Sequence, residues 1–145
     1  MVALYLRLSM SDGDLGIDHK DVSNSIENQK ALLKNYLQDH PEITGEVTVY
    51  ADDGYTGTNF NRPAFKRMIE DCRRGIVNTV LVKDLSRLGR NYIEVGDYVE
   101  QLFPMLGIRF ISVTQNYDSN DYLGVGMDFG MQINNLVASL YSRDM

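Results

Sequence analysis

Val80 to Asn91 reads VLVKDLSRLGRN, and the fold turns on how this stretch is taken. Val80, Leu81 and Val82 are a continuous apolar run, as in a strand buried on both faces. Lys83–Asp84–Leu85–Ser86 then turns the chain, and a helix is expected to follow. On that helix Arg87 and Arg90, three apart, would share a face. In open α/β sheets ligands bind at the carboxyl ends of strands. Two guanidiniums there suit a phosphate. The same spacing also fits a solvated Arg90–Glu94 ion pair worth about 0.3–0.5 kcal/mol. The residues on either side of the stretch have to decide between the two.

Upstream, Val2–Leu8 reads as a first strand, followed by polar loop residues from Ser9 to Ser23. Asn24 is placed to cap the next helix, with Glu27 as its reciprocal partner. Ile26, Leu33, Tyr36 and Leu37 form that helix's buried side, and His40–Pro41 ends it. Val47–Ala51 is a second strand, and Asp52 to Asn61 is a polar loop. Pro63 opens a second helix that Gly75 closes. The third strand covers Thr79–Lys83, and a third helix runs from about Arg90 to Met105, with Pro104 at its end. Ile108–Val113 is a fourth strand, and Gln115 to Gly130 is a loop. From Met131 the apolar residues Ile133, Leu136, Val137, Leu140 and Tyr141 recur at helical spacing. Strands alternating with helices predict an α/β fold. It has a mostly parallel central sheet of about four to five strands, with helices on both faces.

The chain has 145 residues, 43% of them hydrophobic and 23% charged, which suits one domain with a real core. No apolar run approaches a membrane span, so no membrane partner is expected. Cys72 is the only cysteine, so a disulfide framework is excluded and a cytoplasmic setting fits. One cysteine and two histidines (His19 and His40) give a zinc site little to work with. The net charge is −6, from 14 basic and 20 acidic side chains, unlike a dedicated nucleic-acid-binding domain. DNA contact would therefore be local or would rely on other segments. Met145 follows no helix-ending signal, so the expectation is a piece of a longer chain, with 131–145 starting a longer helix.

The strand ends collect chemistry. Arg7 and Ser9, two apart, point the same way on a strand. Asp53, Thr56 and Arg62 follow the second strand, and Lys83, Ser86, Arg87 and Arg90 follow the third. An inward arginine is costly unless it meets an anion. A hydroxyl beside guanidinium forks suits displacement at phosphorus. Ser9 taken alone reads equally well as a turn residue. Asp52 and Asp53 could pair on a metal, but turn or arginine pairing is the commoner use. Lys66, Arg67, Arg73 and Arg74 read as solvated, and Cys72 as buried and inert.

Four motifs together resemble the serine recombinases, the resolvase/invertase family. Tyr5–Leu6–Arg7–Leu8–Ser9 resembles its nucleophile strand, and Ser25–Ile26–Glu27–Asn28–Gln29 its next motif. Asp53–Gly54–Tyr55–Thr56–Gly57 with Arg62–Pro63 resembles its second loop, and Arg87–Leu88–Gly89–Arg90–Asn91 its arginine helix. The long first loop and the Lys83-to-Arg87 wording look most like the large serine recombinase branch, whose members excise and insert mobile elements. The resemblance implies a catalytic domain over 1–130 and an oligomerisation helix from 131 leading to DNA-binding domains. It implies Ser9 as nucleophile, with Arg7, Arg62, Arg87 and Arg90 stabilising the transition state and Gln29 positioning the phosphate or an arginine. Ser25, Asp53, Thr56, Lys83 and Ser86 are supporting residues. The partners implied are double-stranded DNA and further copies of the chain, as dimer and synaptic tetramer. No cofactor is implied. The aspartate that many members carry before the first arginine is Ser86 here, with Asp84 two residues earlier. That leaves Arg90 as one candidate for the acid. A receiver-like signalling domain, phosphorylated at Asp52 or Asp53, and a non-catalytic oligomerisation module are the alternatives.

Overall fold

The computed structural model describes residues 1–8, 25–53, 62–89 and 92–122. Ser9, Thr56, Arg90 and the apolar face after Met131 lie outside the described residues. Strands β1 (Val2–Leu8), β2 (Val47–Asp53), β3 (Thr79–Val82), β4 (Arg109–Ser112) and β5 (Tyr117–Asp118) form one sheet in the order β2-β1-β3-β4-β5. All pairings are parallel except β4 with β5. β1 and β3 are central, and their side chains are almost wholly buried. That is why Val2–Leu6 and Val80–Val82 are unbroken apolar runs.

The alternating side chains of β1 feed two cores. Val2, Leu4 and Leu6 pack with Leu33 of α1 (Ile26–Asp39) on one face. Ala3 and Tyr5 pack with α2 (Pro63–Arg73) and the following helical segment on the other. α2 buries Ala64, Phe65, Met68, Ile69 and Cys72, a stripe at helical spacing. Rings run across this face in sequence: Tyr5 to Phe65 (5.1 Å), Phe65 to Tyr98 (5.0 Å), Phe103 to Phe110 (5.4 Å) and Phe110 to Tyr117 (6.0 Å). Each such pair adds about 0.5–1.5 kcal/mol beyond its buried area. Lys66, Arg67, Arg73 and Arg74 are exposed, as expected. Cys72 is buried, and burial first, with Asp71, pushes its thiol up to about 12.

Several local expectations are corrected. Ser25, not Asn24, caps α1, its hydroxyl accepting from Asn28 N–H at 3.1 Å. β2 continues through Asp52 and Asp53 instead of ending at Ala51. Arg87 does not lie on a long helix. Leu85–Arg87 is a single 3-10 turn, capped by the Asp84 carboxylate accepting from Ser86 N–H. The described helix begins at Tyr92, as α3 (Tyr92–Gly96), a π-helical stretch Asp97–Leu102 and α4 (Phe103–Leu106). Pro104 lies within this segment, which ends at Gly107, where φ is +71°. A glycine takes that backbone without strain. The expected loop after Gln115 contains β5 and a 3-10 turn over Ser119–Tyr122.

Candidate active site at the carboxyl ends of β1 and β3

With the order β2-β1-β3, the chain leaves β1 to one side and returns past it to the other. The crevice at that reversal opens at the carboxyl ends of β1 and β3, the place where such sheets bind ligands. Arg7 is next to last in β1, and Arg87 ends the turn after β3. They are 6% and 3% exposed. A guanidinium removed from water needs acceptors, and here main-chain carbonyls supply them. Arg7 Nε donates to the Arg87 carbonyl at 3.2 Å, and its Nη2 donates to the Ser86 carbonyl. Arg87 Nη1 donates to the Arg7 carbonyl at 2.7 Å.

Gln29, fully buried on the first turn of α1, holds the same strand end from the other face. Its Oε1 accepts from Arg7 N–H at 3.2 Å, and its Nε2 donates to the Arg7 carbonyl at 2.9 Å. It thus engages the arginine's main chain. Ser25 bears on the site by capping the helix that carries Gln29.

Arg62 approaches from α2. It occupies the N-cap with φ +54°, a left-handed backbone that few non-glycine residues adopt. Its Nη2 donates to the Arg87 carbonyl at 3.1 Å, and its Nε to the Tyr5 hydroxyl at 3.3 Å. Its Nη1 pairs with Glu94 Oε1 at 3.3 Å. Its Cζ lies 3.9 Å from the centre of the Phe65 ring, a cation–π contact. Among the described residues Glu94 pairs with Arg62, and the Arg90–Glu94 pair that spacing allows lies outside them.

The supporting residues divide. Asp84, unplaced by sequence, reaches the cluster. Its Oδ2 meets Arg87 Nη2 at 3.4 Å and its Oδ1 accepts from the Ser86 hydroxyl. Ser86 bears on the site through its carbonyl. Lys83 is half-buried, and its carbonyl accepts from Thr114. Asp53 is half-buried at the end of β2, level with Leu8.

The sequence leaves the role of Asp52 open and gives Tyr5 none. Asp52 is 1% exposed and accepts from Ala64 N–H (2.9 Å), Phe65 N–H (3.0 Å) and Tyr5 OH (2.8 Å). It is a helix cap supplied from a strand, not half of a metal pair. Burial first, and Asp52 with it, raises the Tyr5 pKa, although Arg62 pulls it down; the hydroxyl stays protonated. One signal was available: an aspartate at a strand end, shortly before a helix whose N-cap residue cannot cap itself.

Three arginines thus converge from β1, the β3 turn and α2, held largely by carbonyls. Guanidinium forks are groups of the kind that bind the oxygens of an anion. Among the described residues no cluster of three or more metal-ligating side chains occurs, and no helix is long and apolar enough to cross a membrane.

Comparison with known proteins gives the family and the fold. A protein of Bacillus subtilis (strain 168), described by name as a candidate DNA recombinase, is 32% identical over 90 residues. That match covers 62% of this chain and 16% of the relative's length. The N-terminal catalytic domain of TP901-1 integrase superimposes with a TM-score of 0.68 at 27% identity, covering 99% of this chain and 96% of that one. A resolvase family site-specific recombinase from Streptococcus pneumoniae gives a TM-score of 0.68 at 28% identity, covering 99% and 88%. The family model "Resolvase, N terminal domain" matches residues 2–142, so the chain belongs to the resolvase N-terminal domain family.

Proposed function

We propose that the protein is a serine recombinase that cuts and rejoins DNA at specific sites, and that residues 1–130 are its catalytic domain. The convergence of Arg7, Arg62 and Arg87 at the end of β1, one residue before Ser9 in the chain, carries the reading. In the reaction Ser9 Oγ attacks the scissile phosphorus, a serine–phosphate bond forms, and the bond to the 3′-oxygen breaks. The serine proton passes to water, and the leaving 3′-oxygen takes a proton from Arg90, the proposed donor, which water reprotonates. Arg7, Arg62 and Arg87 hold the phosphoryl oxygens as negative charge builds on them. Gln29 fixes the strand end that presents Arg7, while Ser25, Asp53, Thr56, Lys83 and Ser86 support the surrounding loops. The reverse attack by a 3′-hydroxyl rejoins the strands. The phosphoserine conserves the bond energy, so the scheme requires no nucleotide, metal or other cofactor.

Double-stranded DNA is the proposed substrate, and excision or integration of a mobile element the proposed setting, in the cytoplasm. Dimers that pair into a synaptic tetramer would use a helix beginning near 131 and leading to DNA-binding segments. The receiver-like alternative is not favoured, since Asp52 is buried and committed to α2 and Tyr5. The deciding experiment traps the covalent adduct of the full protein on a nicked recombination site and maps the modified residue. Attachment at Ser9, with cleavage lost but DNA binding kept in Ser9→Ala, is the expected result. Cleavage by Ser9→Ala, or attachment elsewhere, would refute the proposal.

A further inference from the structure

We infer that Asp52 is a positioning residue for the phosphate site, acting on Arg62 through Tyr5 and through the N-terminus of α2. The inference rests on the reading above that Arg62 faces the scissile phosphate.

The first route runs through the helix. The opening N–H groups of α2 have no partners within the helix. Arg62 at the N-cap makes no side-chain cap bond. Asp52 fills the gap from β2, accepting from Ala64 N–H and Phe65 N–H at 2.9 and 3.0 Å. A carboxylate there also meets the positive end of the helix dipole. The residues following Arg62 are thereby anchored to the sheet. Phe65 is one of them, and its ring underlies the guanidinium.

The second route runs through a hydroxyl. Tyr5 has one proton to give, and Asp52 Oδ2 takes it at 2.8 Å. The Tyr5 oxygen is then left to accept, and Arg62 Nε donates to it at 3.3 Å. Were Asp52 unable to accept, the hydroxyl would be free to turn its proton toward a guanidinium that can only donate. Asp52 thus sets the polarity of the chain from Arg62 to Tyr5 to Asp52. With Nε committed, the fork directs Nη2 to the Arg87 carbonyl and Nη1 toward Glu94, beside the two buried arginines.

A purely structural aspartate would hold α2 without affecting the chemistry. Tyr5→Phe separates the two cases, because it keeps both helix bonds of Asp52 and removes only the hydroxyl that joins Asp52 to Arg62. Single-turnover cleavage of a nicked site by the full protein is measured for Tyr5→Phe, Asp52→Asn, Arg62→Ala and the Tyr5→Phe/Arg62→Ala pair. Tyr5→Phe is expected to slow cleavage about 10- to 100-fold, with DNA affinity unchanged and the melting temperature lowered only as far as the loss of one buried hydrogen bond requires. In the Arg62→Ala background the same change should add nothing. Asp52→Asn should slow cleavage at least as much, and if it fails to fold, the Tyr5 cycle still decides. Wild-type cleavage by Tyr5→Phe, or an effect that multiplies with that of Arg62→Ala, would overturn the inference. Normal cleavage by Arg62→Ala alone would overturn it together with the site reading. That failure is distinguishable, because it needs no Tyr5 variant.

Discussion

Arg7 and Arg87 each donate to the other's main-chain carbonyl, at 3.2 Å in one direction and 2.7 Å in the other. Side chain and backbone therefore fix each other across the β1–β3 crevice, and each guanidinium is held in one orientation. A lysine in place of Arg87 keeps the charge but loses the planar fork. Its ammonium is not held by the Arg7 carbonyl and the Asp84 carboxylate in the same geometry. Arg87→Lys is expected to lower single-turnover cleavage about 10²- to 10³-fold, the usual cost of removing one preorganised donor. DNA affinity, measured by fluorescence anisotropy, should hardly move. Cleavage near the wild-type rate would take Arg87 out of the chemistry.

Gly89 offers a test of the other side of the cluster. A Cβ on Gly89 would lie 2.7 Å from Glu94 Cδ and 2.8 Å from both Cγ and Oε2. The obstacle is a flexible side chain, so in Gly89→Ala the fold should survive while Glu94 swings away from Arg62. A loss within about 1 kcal/mol is expected, seen as a drop of a few degrees in melting temperature. Glu94→Ala should then cost less in the Gly89→Ala background than in the wild type. Equal costs in the two backgrounds would show that the close approach at Gly89 does not hold Glu94 on Arg62.

The parts of this fold that sequence made legible are those governed by local pattern. Val2–Leu6 of β1 and Val80–Val82 of β3 are apolar runs because both faces of a central strand are covered. α2 is framed by Pro63 and by Gly75, where φ is +78°. What stayed hidden depends on contacts far apart in the chain. Asp52 caps a helix 12 and 13 residues on, and meets a tyrosine 47 residues back. An aspartate at a strand end ahead of an uncapped helix hints at that use, but local pattern alone does not separate it from a turn or a metal ligand. β5 has only two residues, too short for a period. The choice between Asn24 and Ser25 as cap lay between neighbours of similar propensity. Arg87 leaves the expected helix because Asp84 caps a tight turn that buries Leu85 and Arg87.

The β4–β5 edge should respond to acid. Arg109 makes two hydrogen bonds to Asp118, at 3.1 and 2.6 Å. Burial raises the Asp118 pKa, but the Arg109 bond, the Asn120 N–H and the Arg109 charge together bring it below its ordinary value. A lowered folded-state pKa means stability that is present above the unfolded value of about 3.9 and lost as pH falls through the folded one. Glu100 runs the other way, since burial and then Asp97 raise its pKa and favour it protonated. The difference between wild type and Asp118→Asn isolates the pair. Asp118→Asn should be the less stable at pH 7 by urea unfolding, and the gap should close below about pH 4. A gap constant down to pH 2 would mean that the ion pair contributes nothing.

DNA affinity is the last expectation, and it follows from where the cations lie. The chain carries −6 overall, so its long-range field repels a polyanion. Arg7 and Arg87 are buried, and their donors reach main-chain carbonyls, so they are poorly placed to displace the counterions around a duplex. An arginine cluster that stabilises one reacting phosphate is thus a different device from a surface that tracks a backbone. These 145 residues alone are expected to bind duplex DNA weakly at physiological salt, with a shallow dependence of log affinity on log salt. Titration of a labelled duplex across salt concentrations measures both quantities. Tight binding with a steep slope would place a basic surface on this domain, and affinity would then not need to come from segments beyond it.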